Sequence, residues 1–332
     1  MLPKPEETFY KPSVIGTELC AVIAERYGLA LRPVRPLSGG EECETWLASA
    51  GDAAYVVRVS PAWRSPVQLQ WTHDLMLFLR PQVSAVTAPL RALDGSSLFL
   101  YQGYPAAVYP FVTGKPLDRE NSAQRHSASV LLAQMHRAAL HSPAASAGLS
   151  DGRAAAPPDQ AVDDPETIQD PDLDAWYAGL LRQPASLTIG PIHGDYYRRN
   201  LLVEGDTITG LLDWDDAHVD FLMQEVAWSA WEFCKTPSGD DWYPERARAY
   251  FQAYRAAGGP CTEGEFPFAI NFIRRRLREE IRGSLSAAAA RQYTDEAYTA
   301  AELRAFRRLK ELPFSGMITE IPARGEPPGV KC

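Results

Sequence analysis

Residues 192–214 read IHGDYYRRNLLVEGDTITGLLDW. Two apolar runs, 201–203 and 207–212, flank a short polar turn, and this pattern predicts a two-stranded hairpin. Neighbouring strands lie about 4.8 Å apart. The hairpin therefore brings Asn200, just before the first strand, beside Asp213, just after the second.

Asn200 and Asp213 offer a carboxamide oxygen and a carboxylate, and such hard oxygen ligands suit magnesium. Asp195 lies five residues before Asn200 in a polar loop, close enough to face the same site without binding the metal. Phosphoryl transfer needs metal-binding oxygens for a triphosphate and a carboxylate that accepts or orients a hydroxyl proton. Any one of these residues alone is more often a turn or cap residue. The spacing of all three favours a phosphoryl-transfer site.

The same segment resembles the HGDxxxxN…IDW signature of the aminoglycoside phosphotransferase and choline kinase superfamily. The residues that carry the resemblance are His193-Gly194-Asp195, Asn200 and Leu211-Leu212-Asp213-Trp214, and it extends over residues 30–235. It implies an α+β, two-lobed protein-kinase-like fold. We expect a small antiparallel β-rich nucleotide-binding lobe with a leading helix at residues 1–112. A larger, mainly helical lobe for catalysis and substrate binding is expected at residues 113–332.

The resemblance also implies individual roles. Asp195 corresponds to the catalytic base, Asn200 to a metal ligand and Asp213 to the main metal ligand, with Mg²⁺ as cofactor and ATP or GTP as phosphate donor. His193 is interpreted as a buried, hydrogen-bonded residue of the catalytic loop.

Arg58 lies in a β-branched run where the family usually has a lysine that meets the triphosphate. Arginine keeps the charge and adds a fork that matches phosphate. The alternative is a solvent-facing strand arginine. The glutamate that usually pairs with this cation is missing from the following helical segment, where Asp74 is the only carboxylate and stands next to the expected position.

Two further nucleotide contacts follow from the resemblance. Ser38-Gly39-Gly40 is similar to the glycine-bearing loop whose backbone approaches phosphates closely, although a simple turn explains it equally well. Pro110 and Val112 fall in a segment similar to the hinge that reads the nucleobase. The Pro110 carbonyl can accept a hydrogen bond there, and the Val112 N–H can donate one.

The acceptor is expected beyond Asp213. Candidate contacts are Asp215, Asp216, Trp231 and Trp242, since acidic and aromatic side chains together suit a cationic or sugar-like molecule. Trp228 and Trp231 are three residues apart, and this spacing equally predicts a buried helix stripe.

The composition of the chain excludes several classes of protein. The chain has 332 residues, 45% of them hydrophobic, and a net charge of −9. An acidic protein lacks the basic footprint of a nucleic-acid binder, and no apolar run is long enough to span a membrane. Five scattered cysteines without a CxxC pair favour a reducing compartment, so we expect a cytoplasmic protein. Its oligomeric state is left open.

These observations predict a phosphotransferase that moves the γ-phosphate of ATP or GTP to a hydroxyl of a small molecule. The acceptor is an antibiotic, in a resistance role, or a metabolite such as an amino alcohol or a sugar. Two alternatives stay open, namely a protein Ser/Thr kinase of the bacterial stress-kinase type and an inactive nucleotide-binding pseudokinase.

Hydrophobic spacing predicts the main elements. Helices are expected at Gly16–Tyr27, Leu69–Leu79 and Ala123–Leu140, with an antiparallel meander over residues 45–59. A further hairpin is expected around Asp94-Gly95, with its second arm at residues 98–101. Residues 142–172 are interpreted as a surface excursion, and residues 322–332 as a loose tail.

Overall fold

The structure is a computed structural model and describes residues 16–37, 43–146, 166–289 and 294–311. The chain forms two compact units. The first unit comprises the described residues within the ranges 1–117, 138–158 and 190–220, and the second comprises those within 118–137, 159–189 and 221–332. The placement of the lobe boundary between residues 112 and 113 stays a prediction.

The first unit is built on an antiparallel sheet whose strands run in the order β1-β2-β3-β5-β4. Its strands are β1 (Arg32–Pro36), β2 (Glu44–Ala50), β3 (Ala53–Val59), β4 (Phe99–Tyr101) and β5 (Tyr104–Pro110), and its helices are α1 (Thr17–Tyr27) and α2 (Pro66–Leu79). The predicted meander and the first two predicted helices are confirmed.

Helix α1 forms a core against the sheet. Leu19 and Ile23, four residues apart and so on one helical face, are buried with Trp46, Val57 and Val108. The helix ends at Gly28, whose φ of 66° is the left-handed conformation that favours glycine.

Helix α2 begins with two sequence signals. The Ser65 side chain accepts a hydrogen bond from the Gln68 N–H, and Pro66 occupies the first turn, where its missing N–H costs nothing. Leu69, Leu75 and Leu79 are buried on one side of this helix. The apolar spacing that predicted a helix here therefore marks its packed face.

The hairpin predicted around Asp94-Gly95 is wrong. That dipeptide forms an isolated turn, in which the Ser96 N–H donates to Asp94 Oδ1 at 2.9 Å. The strands β4 and β5 are instead joined at Gln102-Gly103, where both residues have positive φ angles of 52° and 88°. Such angles suit a two-residue hairpin turn, so the more conspicuous Asp-Gly signal drew the prediction to the wrong turn.

The predicted hairpin at residues 200–213 is confirmed. It consists of β8 (Leu201–Glu204) and β9 (Thr207–Leu211), and β6 (Lys115–Pro116) pairs with β8 to complete a small sheet. A second pair of strands, β7 (Ile189–Ile192) and β10 (His218–Phe221), was not predicted from the sequence. Both strands are only four residues long, which is too short for a clear period-2 pattern.

The second unit is helical. Its helices are α3 (Ser122–Ala139), α4 (Pro171–Arg182), α5 (Leu222–Cys234), α6 (Pro244–Ala256), α7 (Ala269–Ala289) and α8 (Glu296–Glu311). The predicted helix at 123–140 is confirmed as α3, whose first turn is capped by Asn121 Oδ1 accepting the Ala123 N–H at 2.9 Å. Within the described residues, no helix is long and apolar enough to cross a membrane.

Candidate active site

The loop before β8 holds Asp195 and Asn200 together. The Asn200 amide nitrogen donates to Asp195 Oδ2 at 2.8 Å and to the Asp195 carbonyl at 2.9 Å. Asn200 is 8% exposed, so both bonds are shielded from water. The five-residue spacing in the sequence therefore becomes a direct contact that orients the Asp195 carboxylate.

The hairpin places Asp213 beside this pair, as the sequence predicts. Leu201 is opposite Leu211, and the Leu212 N–H donates to the Asn200 carbonyl at 2.8 Å, so the pairing continues to the residue before Asp213. Asp213 itself has a φ of 57°, uncommon for a residue other than glycine. Its side chain is 47% exposed. A left-handed residue after a strand turns the chain sharply and presents its carboxylate outside the sheet.

Hydrogen bonds from His193 stabilise the loop that carries Asp195. Its Nδ1 accepts the Asp195 N–H at 3.2 Å, and its Nε2 donates to the Leu212 carbonyl at 2.9 Å. The ring is fully buried and lies 4.7 Å from the Trp214 ring. A neutral imidazole satisfies both bonds at once, so the geometry agrees with the interpretation of His193 as a buried, hydrogen-bonded residue.

Gly194 is required by a close backbone approach. It has a φ of 85°, and a Cβ at this position would lie 2.1 Å from the Asp216 carbonyl oxygen. No side chain tolerates that distance. The glycine of the HGD motif therefore lets the loop that carries Asp195 pack against the segment that follows Asp213.

Arg58 reaches the same group of residues from β3. Its Nη2 lies 2.6 Å from Asp215 Oδ2 and 3.2 Å from Asp213 Oδ1, and its side chain is 19% exposed. Burial opposes the charge of Arg58, but Asp215 leads the interactions that raise the pKa of Arg58 well above its ordinary value. The alternative of a solvent-facing strand arginine is therefore wrong.

Sequence reasoning did not identify which carboxylates pair with Arg58. Asp74 is exposed on α2 and accepts a hydrogen bond from Gln70 at 3.0 Å. The partners of Arg58 are Asp213 and Asp215, more than 150 residues away in sequence. The absence of a suitable carboxylate on α2 was the signal that another segment supplies it.

The four candidate acceptor contacts lie in different environments. Asp215 is buried and paired with Arg58, whereas the side chain of Asp216 is 54% exposed and lies 3.9 Å from Arg64. In the second unit, Trp231 and Trp242 are 1% and 3% exposed, and their rings are 6.0 Å apart. The burial of Trp231 agrees with the helix stripe that its spacing equally predicted.

The nucleotide candidates are only partly described. Ser38, Gly39 and Gly40 lie outside the described residues. Pro110 ends β5 opposite Tyr55, and the next N–H, of Phe111, is already bonded to the Ala54 carbonyl. Val112 follows in a loop of the same unit. The nucleotide roles of Arg58, Pro110 and Val112 stay predictions.

The chemistry of the donor atoms fits magnesium. Asn200 donates through its amide nitrogen, which leaves its carbonyl oxygen as a ligand, and Asp213 offers a half-exposed carboxylate that already attracts the guanidinium of Arg58. Among the described residues, no group of three or more His, Cys, Asp or Glu side chains is placed to hold a metal. Such a sparse set of oxygen ligands suits Mg²⁺, which keeps waters and phosphate oxygens in its other positions.

Proteins with similar sequences include homoserine kinases. Homoserine kinase of Methylobacillus glycogenes is 28% identical over 240 residues, which are 71% of this chain and 74% of that protein. Homoserine kinase of Pseudomonas aeruginosa strain LESB58 is 28% identical over 234 residues, 68% of this chain and 72% of that protein.

Solved structures are similar over most of the chain. A microcompartment-associated aminopropanol kinase has a TM-score of 0.62 at 17% identity, covering 87% of this chain and 94% of that one. A spectinomycin phosphotransferase in complex with ADP and spectinomycin has a TM-score of 0.58 at 12% identity, covering 92% and 97%. At these identities the likeness concerns the fold, and the predicted protein-kinase-like fold is confirmed.

A comparison with protein families matches residues 33–260 to the Phosphotransferase enzyme family. The match covers the whole five-stranded sheet except the first residue of β1, together with Asp195, Asn200 and Asp213. The predicted class of enzyme, a kinase-type phosphotransferase, is therefore confirmed. The chain belongs to the phosphotransferase enzyme family, as the motif at residues 193–214 predicts.

Proposed function

We propose that this protein transfers the γ-phosphoryl group of ATP to the hydroxyl of a small amino-bearing acceptor of the homoserine type. The observation that carries the proposal is the 2.8 Å hydrogen bond from Asn200 to Asp195 Oδ2, with Asp213 at the adjoining strand end. Asp195, Asn200 and Asp213 all lie within residues 190–220 of a single compact unit, which supports a joint role in phosphoryl transfer.

In this proposal Asp195 receives the proton of the acceptor hydroxyl. Asn200 fixes one carboxylate oxygen of Asp195, so the carboxylate keeps one orientation as the hydroxyl approaches. General-base catalysis contributes typically 10²–10⁴-fold to the rate. Arg58 supplies a positive charge beside the carboxylate of Asp213 and is suited to pair with phosphate oxygens.

Asn200 and Asp213 are the residues that would hold Mg²⁺. When bound, the ion neutralises charge on the phosphate oxygens of the donor. Asp213 is half-exposed and contributes a full negative charge, whereas Asn200 contributes a neutral oxygen. Asp213 should therefore carry more of the metal affinity than Asn200 does.

The acceptor class is inferred from the relatives. Homoserine kinases are similar to this chain over about two thirds of its length, and an aminopropanol kinase shares its fold. Both of these names denote acceptors that combine a hydroxyl with an amine. We therefore favour a hydroxylated amine or amino acid over a sugar or a protein.

An acceptor panel tests the proposal. ADP formation from ATP should rise above the acceptor-free rate with homoserine or aminopropanol, and less with spectinomycin or a serine peptide. The matched control is Asp195→Asn, which keeps the shape of the side chain but removes the base. If only spectinomycin or only the peptide stimulated ADP formation, the proposed acceptor class would be wrong. The same panel with GTP in place of ATP would show which nucleotide is the phosphate donor.

A further inference from the structure

Arg58 is shared unequally between two carboxylates. The distance from its Nη2 to Asp215 Oδ2 is 2.6 Å, and the distance to Asp213 Oδ1 is 3.2 Å. The side chain of Asp215 is 10% exposed, whereas that of Asp213 is 47% exposed. Because water screens an exposed pair more strongly than a buried one, Asp215 holds Arg58 more firmly than Asp213 does.

Asp215 is fixed from several sides. Arg64 Nη1 donates to the Asp215 carbonyl at 3.2 Å, and Arg64 Nη2 lies 3.8 Å from the carboxylate. The Cys43 thiol lies 3.6 Å from Asp215 Oδ2. The side chain of Asp215 is 10% exposed, and its carboxylate lies near both Arg58 and Arg64, so Asp215 is suited to keep an arginine.

Asp213 is suited to exchange its contact with Arg58 for a contact with a metal ion. It is one of the two residues proposed to hold the metal, yet Arg58 already contacts it. A guanidinium and a divalent metal on the same carboxylate repel each other at contact distance. Metal binding at Asp213 and the Arg58–Asp213 contact should therefore oppose each other.

We propose that Asp215 is the positioning residue for Arg58, and that Arg58 stays on Asp215 but gives up Asp213 when Asp213 binds the metal. Asp215 thereby acts as the carboxylate partner of Arg58, a role for which α2 has no suitable residue. The inference rests on the proposed function, because it needs Asp213 as a metal ligand. It also makes Arg58 an internal competitor of the metal before nucleotide binds.

The test is a Mn²⁺ titration of the nucleotide-free protein, followed by the electron paramagnetic resonance signal of free Mn²⁺. Removing the competing cation in Arg58→Gln should tighten Mn²⁺ binding about two- to fivefold, the equivalent of an exposed ion pair of up to about 1 kcal/mol. In Asp215→Asn, Asp213 is the only carboxylate of this pair left to Arg58. Arg58 should then compete more strongly with Mn²⁺ at Asp213, so Mn²⁺ binding should weaken by a similar factor.

The double variant separates competition from simple loss of charge. If Asp215 acts through Arg58, Asp215→Asn should change Mn²⁺ affinity much less in the Arg58→Gln background than in the parent. Equal weakening in both backgrounds would overturn the proposal, because Asp215 would then act on the metal by its charge alone. Unchanged affinity in Arg58→Gln would overturn it as well.

Three further variants complete the design. Arg58→Lys keeps a cation and should bind Mn²⁺ within about twofold of the parent, so it reports on competition even if Arg58→Gln is unstable. Asp74→Asn removes a carboxylate from α2 and should leave the affinity unchanged. Asp213→Asn should nearly abolish binding. If Asp213→Asn binds Mn²⁺ like the parent, the proposed metal site is wrong. If Asp213→Asn weakens binding but Arg58→Gln leaves it unchanged, the metal site stands and only the proposed competition is wrong.

Discussion

Two clusters of acidic side chains, one in each compact unit, are compensated in different ways. In the first unit, the Arg58 cluster consists of Arg58, Asp213 and Asp215, and one guanidinium lies between two carboxylates. In the second unit, the Glu302 cluster consists of Glu232, Glu280 and Glu302, which influence one another electrostatically.

The cations near the Glu302 cluster are already engaged. Lys235 Nζ pairs with Glu232 at 2.5 Å, and Arg276 Nε pairs with Glu280 at 2.8 Å. Glu302 is 3% exposed. Burial, reinforced by the charge of Glu280, raises the pKa of Glu302 to about 8. Glu302 is therefore mostly protonated at neutral pH.

The difference teaches how each cluster can serve the protein. A carboxylate that shares one guanidinium with a second carboxylate can exchange that contact for a metal, which suits a site of chemistry. A carboxyl group neutralised by its own proton has no cation to release, which suits a buried structural position. The predictions that follow perturb the two clusters and begin with the largest expected effect.

Asp213→Ala should abolish magnesium-supported ATP turnover, with a loss of at least about hundredfold, since several kcal/mol of charge stabilisation depend on the metal. Asn200→Ala should impair turnover less because a neutral ligand is lost. Glu302→Gln, the matched change in the other cluster, should keep parent-like turnover. Steady-state assays at varied Mg²⁺ measure all three, and full activity of Asp213→Ala would refute the metal assignment.

Arg58→Ala should lower kcat/KM for the nucleotide about ten- to hundredfold, since a charge-assisted hydrogen bond is worth about 1.5–3 kcal/mol. Arg58→Lys should recover part of the loss, because an ammonium keeps the attraction but not two parallel bonds. Kinetics with varied nucleotide, with a melting curve for each variant, measure the effect. Parent-like kinetics of Arg58→Ala would remove Arg58 from the site.

His73 next to the Arg58 cluster should make stability depend on pH. It is 2% exposed and bonded to Tyr109 and Ser97, and burial, followed by the charge of Arg58, lowers the pKa of His73 from 6.5 to about 4. As the pH falls from 6.5 to 4, the unfolded chain takes up the proton first. The folded state should therefore lose about 3 kcal/mol over that window.

Urea unfolding at pH 7 and pH 4.5 measures this loss. His73→Gln should be less stable than the parent at pH 7 and should show a flatter pH dependence between those values. An identical pH dependence in the two proteins would contradict the lowered pKa of His73.

Glu302 should make the stability of the folded protein depend on pH in the opposite direction. The pKa of Glu302 is raised from 4.5 to about 8 in the folded protein, so its contribution is complete below pH 4.5 and is lost as the pH rises through 8. Glu302→Gln should melt several °C above the parent at pH 9, since each kcal/mol is worth about 2–4 °C, and should show no such advantage at pH 4.5. A parent-like melting temperature at pH 9 would contradict a protonated Glu302.

Local patterns predicted much of the fold and the core of the site. The meander, the helices α1 to α3 and the hairpin β8–β9 follow from apolar spacing and turn residues over short stretches. The adjacency of Asn200 and Asp213 follows from that hairpin alone. Each of these features depends on residues that are near one another in sequence, so no long-range information is needed.

The features that sequence reasoning missed depend on distant segments. The pairing of β7 with β10 joins strands separated by more than 25 residues. The contact of Arg58 with Asp215 spans 157 residues. Arg274 and Arg278 on α7 are charged, yet they are only 3% and 5% exposed. Arg274 pairs with Asp170 and Arg278 with Asp174, partners that helical periodicity does not reveal.

The central claim is that Asp195 is the base of a phosphotransferase, held in place by Asn200. The most direct measurement is the rate of ATP-dependent phosphorylation of homoserine by the parent and by Asp195→Asn, with the dissociation constant for ATP measured on both proteins. The account predicts a fall in kcat of about 10²–10⁴-fold with nearly unchanged ATP affinity, since it assigns the metal to Asn200 and Asp213 and not to Asp195. An unchanged kcat in Asp195→Asn would contradict it.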